Sequence, residues 1–186
     1  MLRPLYTQRS TDVLLVGPPL SGKRTLAKQL LKCSDAYFST HIAETFTRQL
    51  DSQVGRIDYV LILVDVTNSN SLMVLRETLQ RMDPAYLTYK CAIVVTKVDK
   101  RRLWAFDEHD LTVLADSYSH LQLFHVNLED DDTRKSVCDQ LGRIIRISTL
   151  QQKDVHTMLL RTVEHFPTKL PSSDESMDST SLISDE

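Results

Sequence analysis

Two hydrophobic rhythms alternate along most of this chain. Short, nearly continuous apolar runs mark strands at Asp12–Val16, Phe38–Phe46, Ile57–Val66, Lys90–Thr96 and Leu121–Val126. Between them, apolar residues recur every three or four positions, the spacing of a helix with one buried side. Gly22–Lys32 presents Leu26, Leu30 and Leu31; a helix capped by Asn68 or Ser69 presents Leu72, Leu75, Leu79 and Met82 and stops near Pro84. A third, capped by Asp107, turns Leu111, Leu114 and Tyr118 inward, and Thr133–Ser148 carries Val137, Leu141, Ile144 and Ile145. A last one, Gln152–Phe166, carries Val155, Met158, Leu159 and Phe166. Alternating strands and helices predict a three-layer α/β fold around a mainly parallel sheet of five to six strands. The Ile57–Val66 run, apolar throughout, reads as a strand buried on both faces.

Composition narrows the class without changing the pattern. The 186 residues are 41% hydrophobic and 25% charged, ordinary values for one globular domain. The longest apolar run, Tyr59–Val64, is far shorter than the roughly 20 residues that span a bilayer. Met1-Leu2-Arg3-Pro4 opens no apolar signal region, so no membrane association is expected and the expected address is cytosol or nucleus. Cys33, Cys91 and Cys138 lack metal-ligand spacing, as do the six histidines, and read as reduced thiols within apolar stretches. Asp130-Asp131-Asp132 precedes a helix start, where acids favour the dipole, so capping is preferred over a cation site.

Charge is uneven. Residues 167–186 hold five acids against Lys169, a net of −4, which leaves about +1 for the rest of a chain whose total is −3. That stretch, with Pro167, Pro171 and six serines and no aromatics, is expected to be a disordered acidic tail beyond a folded domain of residues 1–166. Two readings of the tail stand: a solubilising segment, or a phosphorylatable one built on Ser172, Ser173 and Ser176. The near-neutral remainder has no dense basic face, so no direct nucleic-acid contact is expected.

The chemistry gathers at the first strand-to-helix turn. Gly17-Pro18-Pro19-Leu20-Ser21-Gly22-Lys23-Arg24 follows the G-x-x-x-x-G-K-[ST] phosphate loop up to its last position. There the loop needs a hydroxyl for Mg²⁺, and this chain has Arg24. Thr25 is one residue on, turned about 100° away on a helix. Further along, Leu63–Leu72 resembles the strand-to-helix junction after switch II of Rab and Ras-like GTPases. Thr96-Lys97-Val98-Asp99, ending the next strand, resembles their [NT]-K-x-D guanine-reading motif. The resemblance implies a Ras-like fold and, if nucleotide binds, a site of Gly17, Gly22, Lys23, Thr25, Thr96, Lys97 and Asp99. Asp65 has the placing of a Walker B carboxylate, although the Thr67-Asn68 context argues against that role.

Spacing argues against hydrolysis. Only about 24 residues, Cys33 to Arg56, separate the loop's helix from the Ile57 strand. They can hold one strand and a turn, whereas a small GTPase fits two strands, both switches and a D-x-x-G turn there. Asp51–Gly55 is one residue too long for that turn, and Asp139–Gly142 falls inside a late helix. Thr40, Thr45 and Thr47 are explained by a solvated strand face, and Gln53 has no better claim as the water-positioning residue. No catalytic residue is therefore expected.

The shortened switch region is also a trait of the centromere protein M family, which this chain resembles across residues 1–166. The matching features are Leu2-Arg3-Pro4-Leu5, Leu14–Gly17, Arg56-Ile57-Asp58, Ser71-Leu72 with Glu77 and Leu79, and Asp83. Ala115, Tyr118, Leu121-Gln122-Leu123, and Leu141 with Arg143 continue them. The resemblance implies a pseudo-GTPase at the centromere of nuclear chromosomes: a non-catalytic subunit of the inner kinetochore, assembled with centromere proteins I, H and K and supporting chromosome segregation. It implies no cofactor and no metal. The retained Gly22-Lys23 and Thr96–Asp99 depart from the family's decayed loop, so a switch that binds GTP or GDP with slow or no hydrolysis stands as the alternative. Partner contacts are expected at Tyr86 and Leu87, in an aromatic loop Tyr86–Tyr89, and at Val155, Met158 and Leu159 on the last helix. Core packing accounts for both groups equally well. Trp104 and Phe106 read either as an exposed anchor or as a loop tucked onto the sheet.

Overall fold

A computed structural model describes residues 10–32, 37–46, 57–118 and 121–149. Five strands form one sheet: β1 (Thr11–Val16), β2 (Phe38–Ala43), β3 (Tyr59–Asp65), β4 (Cys91–Thr96) and β5 (Gln122–Val126). Their order is β2-β1-β3-β4-β5, and every pairing is parallel. Helices α1 (Lys23–Leu30), α2 (Asn70–Arg81), α3 (Pro84–Tyr89), α4 (Glu108–Ser117) and α5 (Asp131–Ser148) cover it. This is the three-layer α/β architecture of the Ras-like fold.

Period-two alternation divides the strands between two cores. Val13, Leu15, Leu61, Leu63, Val94 and Phe124 face Leu26 and Leu30 of α1 and Val137, Leu141 and Ile145 of α5. Leu14, Val16, Val60, Ile62, Val64, Ile93 and Val95 face Leu75 and Leu79 of α2 and Leu111 and Ala115 of α4. β3 is central, and all seven of its residues are buried, which is why its sequence shows no alternation. β2 lies at an edge of the sheet, and its burial falls away from Phe38 towards Ile42.

Several local readings need correction. Tyr86–Tyr89 is not a loop but part of α3, because Asp83 caps it through Oδ1, which accepts from the Ala85 N–H at 2.8 Å, and Pro84 pre-sets the first turn. Asp107 and Ser69 occupy N-cap positions without a side-chain capping bond; Asn68 Oδ1 instead accepts from the Asn70 N–H at 3.0 Å. Leu31 is 56% exposed, since α1 ends at Leu30 and the chain turns away. β2 stops at Ala43, although Phe46 is still buried. The expected helix Gln152–Phe166, with Val155, Met158 and Leu159, lies outside the described residues, as do Cys33 and the 166/167 boundary.

Leu61 sits fully buried in the central strand. Leu61→Ala is expected to cost about 3 kcal/mol in chemical denaturation, with an unchanged denaturant slope.

Candidate functional site

The order β2-β1-β3-β4-β5 places the switch point of the sheet between β1 and β3, where ligands of open parallel sheets sit beyond the carboxyl ends of the strands. The loop from Gly17 to Gly22 fills this place. Gly17 is required by contact: a Cβ there would lie 2.6 Å from the Leu63 carbonyl oxygen, a backbone atom of β3 that cannot move aside. Gly22 is required by conformation, with φ 88°, immediately before α1. The side chain of Leu128, just after β5, closes against Gly22. Leu20, at the tip, takes φ 62° and is almost fully exposed.

Lys23 opens α1 and is buried. Its Nζ donates to the carbonyl oxygens of Gly17 and Pro18, each at 2.6 Å, so the ammonium is drawn into its own loop. Desolvation pulls its pKa below the ordinary lysine value; the Glu44 carboxylate opposes that shift and the Arg24 guanidinium adds to it. Arg24 and Thr25 are exposed, so the position that would supply a metal hydroxyl presents a cation to solvent.

At the end of β4, Lys97 takes φ 61° and its Nζ donates to Asp65 Oδ2 at 2.5 Å, crossing to the end of β3. Asp65 Oδ1 accepts from the N–H of Thr67 at 2.9 Å and from its hydroxyl at 2.7 Å. Burial would raise the Asp65 pKa, but the hydrogen bonds from Lys97 and Thr67 outweigh it and hold the carboxyl below its ordinary value. Both Asp65 oxygens are thus engaged within the chain, a structural clasp where a Walker B carboxylate would face a metal. Thr96 is buried and its hydroxyl donates to the Val64 carbonyl at 3.3 Å. Asp99 is exposed beyond the clasp.

The remaining turns on this edge are closed by polar contacts. Lys100 pairs with Glu129 at 2.9 Å, and Asp130 caps α5 by accepting from the Thr133 N–H at 3.1 Å, the capping role expected of the Asp130–Asp132 run. Trp104 and Phe106 are half-buried against the second core, which settles them as a loop tucked onto the sheet. Tyr86 and Leu87 are also half-buried against that core, and the Tyr86 hydroxyl donates to the Ile57 carbonyl at 3.0 Å. Cys91 and Cys138 are buried, and desolvation pushes the Cys91 thiol up to about 12. Among the described residues no group of three or more His, Cys, Asp or Glu side chains could hold a metal ion.

Of the predicted site residues, Gly17, Gly22 and Lys23 come together in one loop, Lys97 closes the Asp65 clasp, Thr96 bonds to Val64 beside it, and the exposed Thr25 and Asp99 join neither. Thr67, Glu44, Glu129 and Leu128 were not foreseen. Thr67 follows Asp65 by two residues, the spacing of a local side-chain turn, and was legible; the other three act through tertiary placement alone.

A five-stranded, all-parallel sheet covered by helices on both faces, with a tight strand-to-helix turn at its switch point, defines this chain as an α/β protein of the Ras-like three-layer fold. The family model described as Centromere protein M (CENP-M) matches residues 2–166, and the chain belongs to that family. It is 26% identical to centromere protein M of Bos taurus over 150 residues, covering 78% of this chain and 83% of that protein. The chain therefore has the assignment of a centromere protein.

Gly17→Ala is expected to destabilise the fold by about 2 kcal/mol, because β3 must shift to admit the methyl group, whereas Leu20→Gly is expected to be neutral or stabilising. The depressed Asp65 pKa means that its stabilisation is complete above the unfolded carboxyl value near 3.9 and is lost as pH falls through the folded value. Lys97→Ala strands a buried carboxylate. About 2 kcal/mol of stability is expected to disappear at neutral pH, with a smaller loss below pH 4, measured by denaturation across the pH range.

Proposed function

We propose that this protein is a non-catalytic structural subunit of the inner kinetochore, assembled with centromere proteins I, H and K. The observation that carries the reading is the internal commitment of the nucleotide-site side chains. Lys97 is held by Asp65, Asp65 by Lys97 and Thr67, and the metal-hydroxyl position is an exposed arginine. A GTPase cycle requires Mg²⁺ ligation and a water-positioning group. Arg24 offers the metal only repulsion, so this edge of the sheet serves as a folded corner. Membership of the centromere protein M family supports the same reading.

A second reading has one observation behind it. The buried Lys23 ammonium meets only carbonyl oxygens, and no carboxylate lies within ion-pair distance of it among the described residues. Such a charge is a place for an anion, which favours retention of phosphate or guanine nucleotide without turnover.

The two readings separate on purified protein. Under the first, the protein carries no stoichiometric GTP or GDP, a fluorescent GTP analogue does not bind with or without Mg²⁺, and tagged protein captures centromere proteins I, H and K. Stoichiometric bound nucleotide, lost in Lys23→Ala, would establish the second. Met158→Glu is expected to weaken partner capture at least about tenfold, roughly 1.4 kcal/mol, while circular dichroism stays unchanged; Leu87→Arg is expected to weaken it as much and also to lower the melting temperature, because Leu87 packs on the second core.

A further inference from the structure

The two helical layers differ in how their charges are used. On the layer of α1 and α5, Arg24, Lys28, Lys32, Lys135 and Arg143 are exposed and Arg146 is half-buried, and none of the six makes an ion pair among the described residues. Arg134 is the exception, held by Asp131 and by the Leu128 carbonyl. The acids of these two helices, Asp131, Asp132 and Asp139, lie in the first half of α5. Towards the C-terminal ends only bases remain: Lys28 and Lys32 on one side, Arg143 and Arg146 on the other. The exposed Leu31 lies between the two lysines. Among the described residues, the nearby carboxylates at the amino edge of the sheet are already engaged, Asp12 with His41 and Asp58 with the Asp12 N–H.

This layer is one continuous surface. α1 and α5 pack on the same core, and both return from the carboxyl edge of a parallel sheet, so their C-terminal ends share the opposite edge. The described chain leaves from that edge at Thr149, the C-cap of α5. Downstream come Asp174, Glu175, Asp178, Asp185 and Glu186, with Leu182-Ile183 between the last acids, and no base after Lys169. The 24 residues between Thr149 and Asp174 reach up to about 80 Å when extended, and α5 itself is only about 27 Å long. Tethering at this range gives effective concentrations of order millimolar, enough to populate contacts that separate molecules would not make.

We propose that the basic face at the C-terminal ends of α1 and α5 is the docking surface for the chain's own acidic stretch 174–186. Carboxylates meet Lys28, Lys32, Arg143 and Arg146, and Leu182-Ile183 covers Leu31. Each exposed pair contributes little alone, and the contact depends on several acting together, which makes it salt-sensitive. The proposal is independent of whether Lys23 holds an anion.

Zero-length carbodiimide cross-linking of the full chain, with peptide mass spectrometry, tests it. The sample is an equal mixture of unlabelled and ¹⁵N-labelled protein, so that links within and between molecules separate by mass. Expected are intramolecular links from Lys28 or Lys32 to the acids of 174–186, falling about fivefold in 1 M salt, where the Debye length is about 3 Å. The double variant Arg143→Glu/Arg146→Glu, which leaves both lysines in place, is expected to reduce them as strongly at an unchanged melting temperature. Should that variant unfold, Arg143→Gln/Arg146→Gln is read in the same way. Absence of these links, links only between molecules, or equal yields at Lys90 and Lys100 outside this layer would overturn the proposal.

Discussion

A parallel sheet must be covered on both faces, and the rest of this molecule answers to that requirement. β3 lies at its centre with every residue buried, so any element that moves off either face exposes it. Burying its six apolar side chains is worth about 10–20 kcal/mol before the entropy of ordering the chain is subtracted, and the helices complete that burial. The two cores meet at β3 back to back. That is why the carboxyl end of the strand is so constrained: the Leu63 carbonyl leaves no room for a side chain at Gly17, and Asp65 has to be neutralised where the strand emerges.

The corner at the ends of β1, β3 and β4 has the outline of a nucleotide site and the wiring of a hinge pin. Lys97 ties β4 to β3 through Asp65, Thr67 fixes the outgoing turn, and Lys23 ties α1 back to the loop that precedes it. Each of these contacts lies within the chain. The strand-to-helix turn needs its two glycines whatever it later holds, Gly17 for the close approach of β3 and Gly22 for its positive φ.

Much of the fold was legible because parallel strands and amphipathic helices write different periods. The five runs beginning near Asp12, Phe38, Ile57, Lys90 and Leu121 are the five strands, and Val137, Leu141 and Ile145 are buried as their spacing requires. The misreadings were local. Tyr86–Tyr89 lacks helical periodicity because a six-residue helix is too short to show any, and the Asp83-Pro84 start was the available sign. The site was half legible. Gly17, Gly22 and Lys23 are set by a contiguous motif, but the Lys97 to Asp65 contact spans 32 residues, and nothing local announces that the lysine turns inward. Glu44 and Leu128 reach the loop only because β2 and β5 end at the same edge.

The strand order has a consequence for how the chain is made. β1 leaves the ribosome first, yet it lies inside the sheet, between β2 and a strand that begins at Tyr59. Its pairing with β3 joins Val13 to Tyr59, a closure that waits for that residue to clear the exit tunnel. Until then one edge of β1 is an unpaired apolar ladder. Synthesis at about 5–20 residues per second stretches this interval to several seconds, a period in which a growing chain is most exposed to chaperones and to its neighbours on the same message.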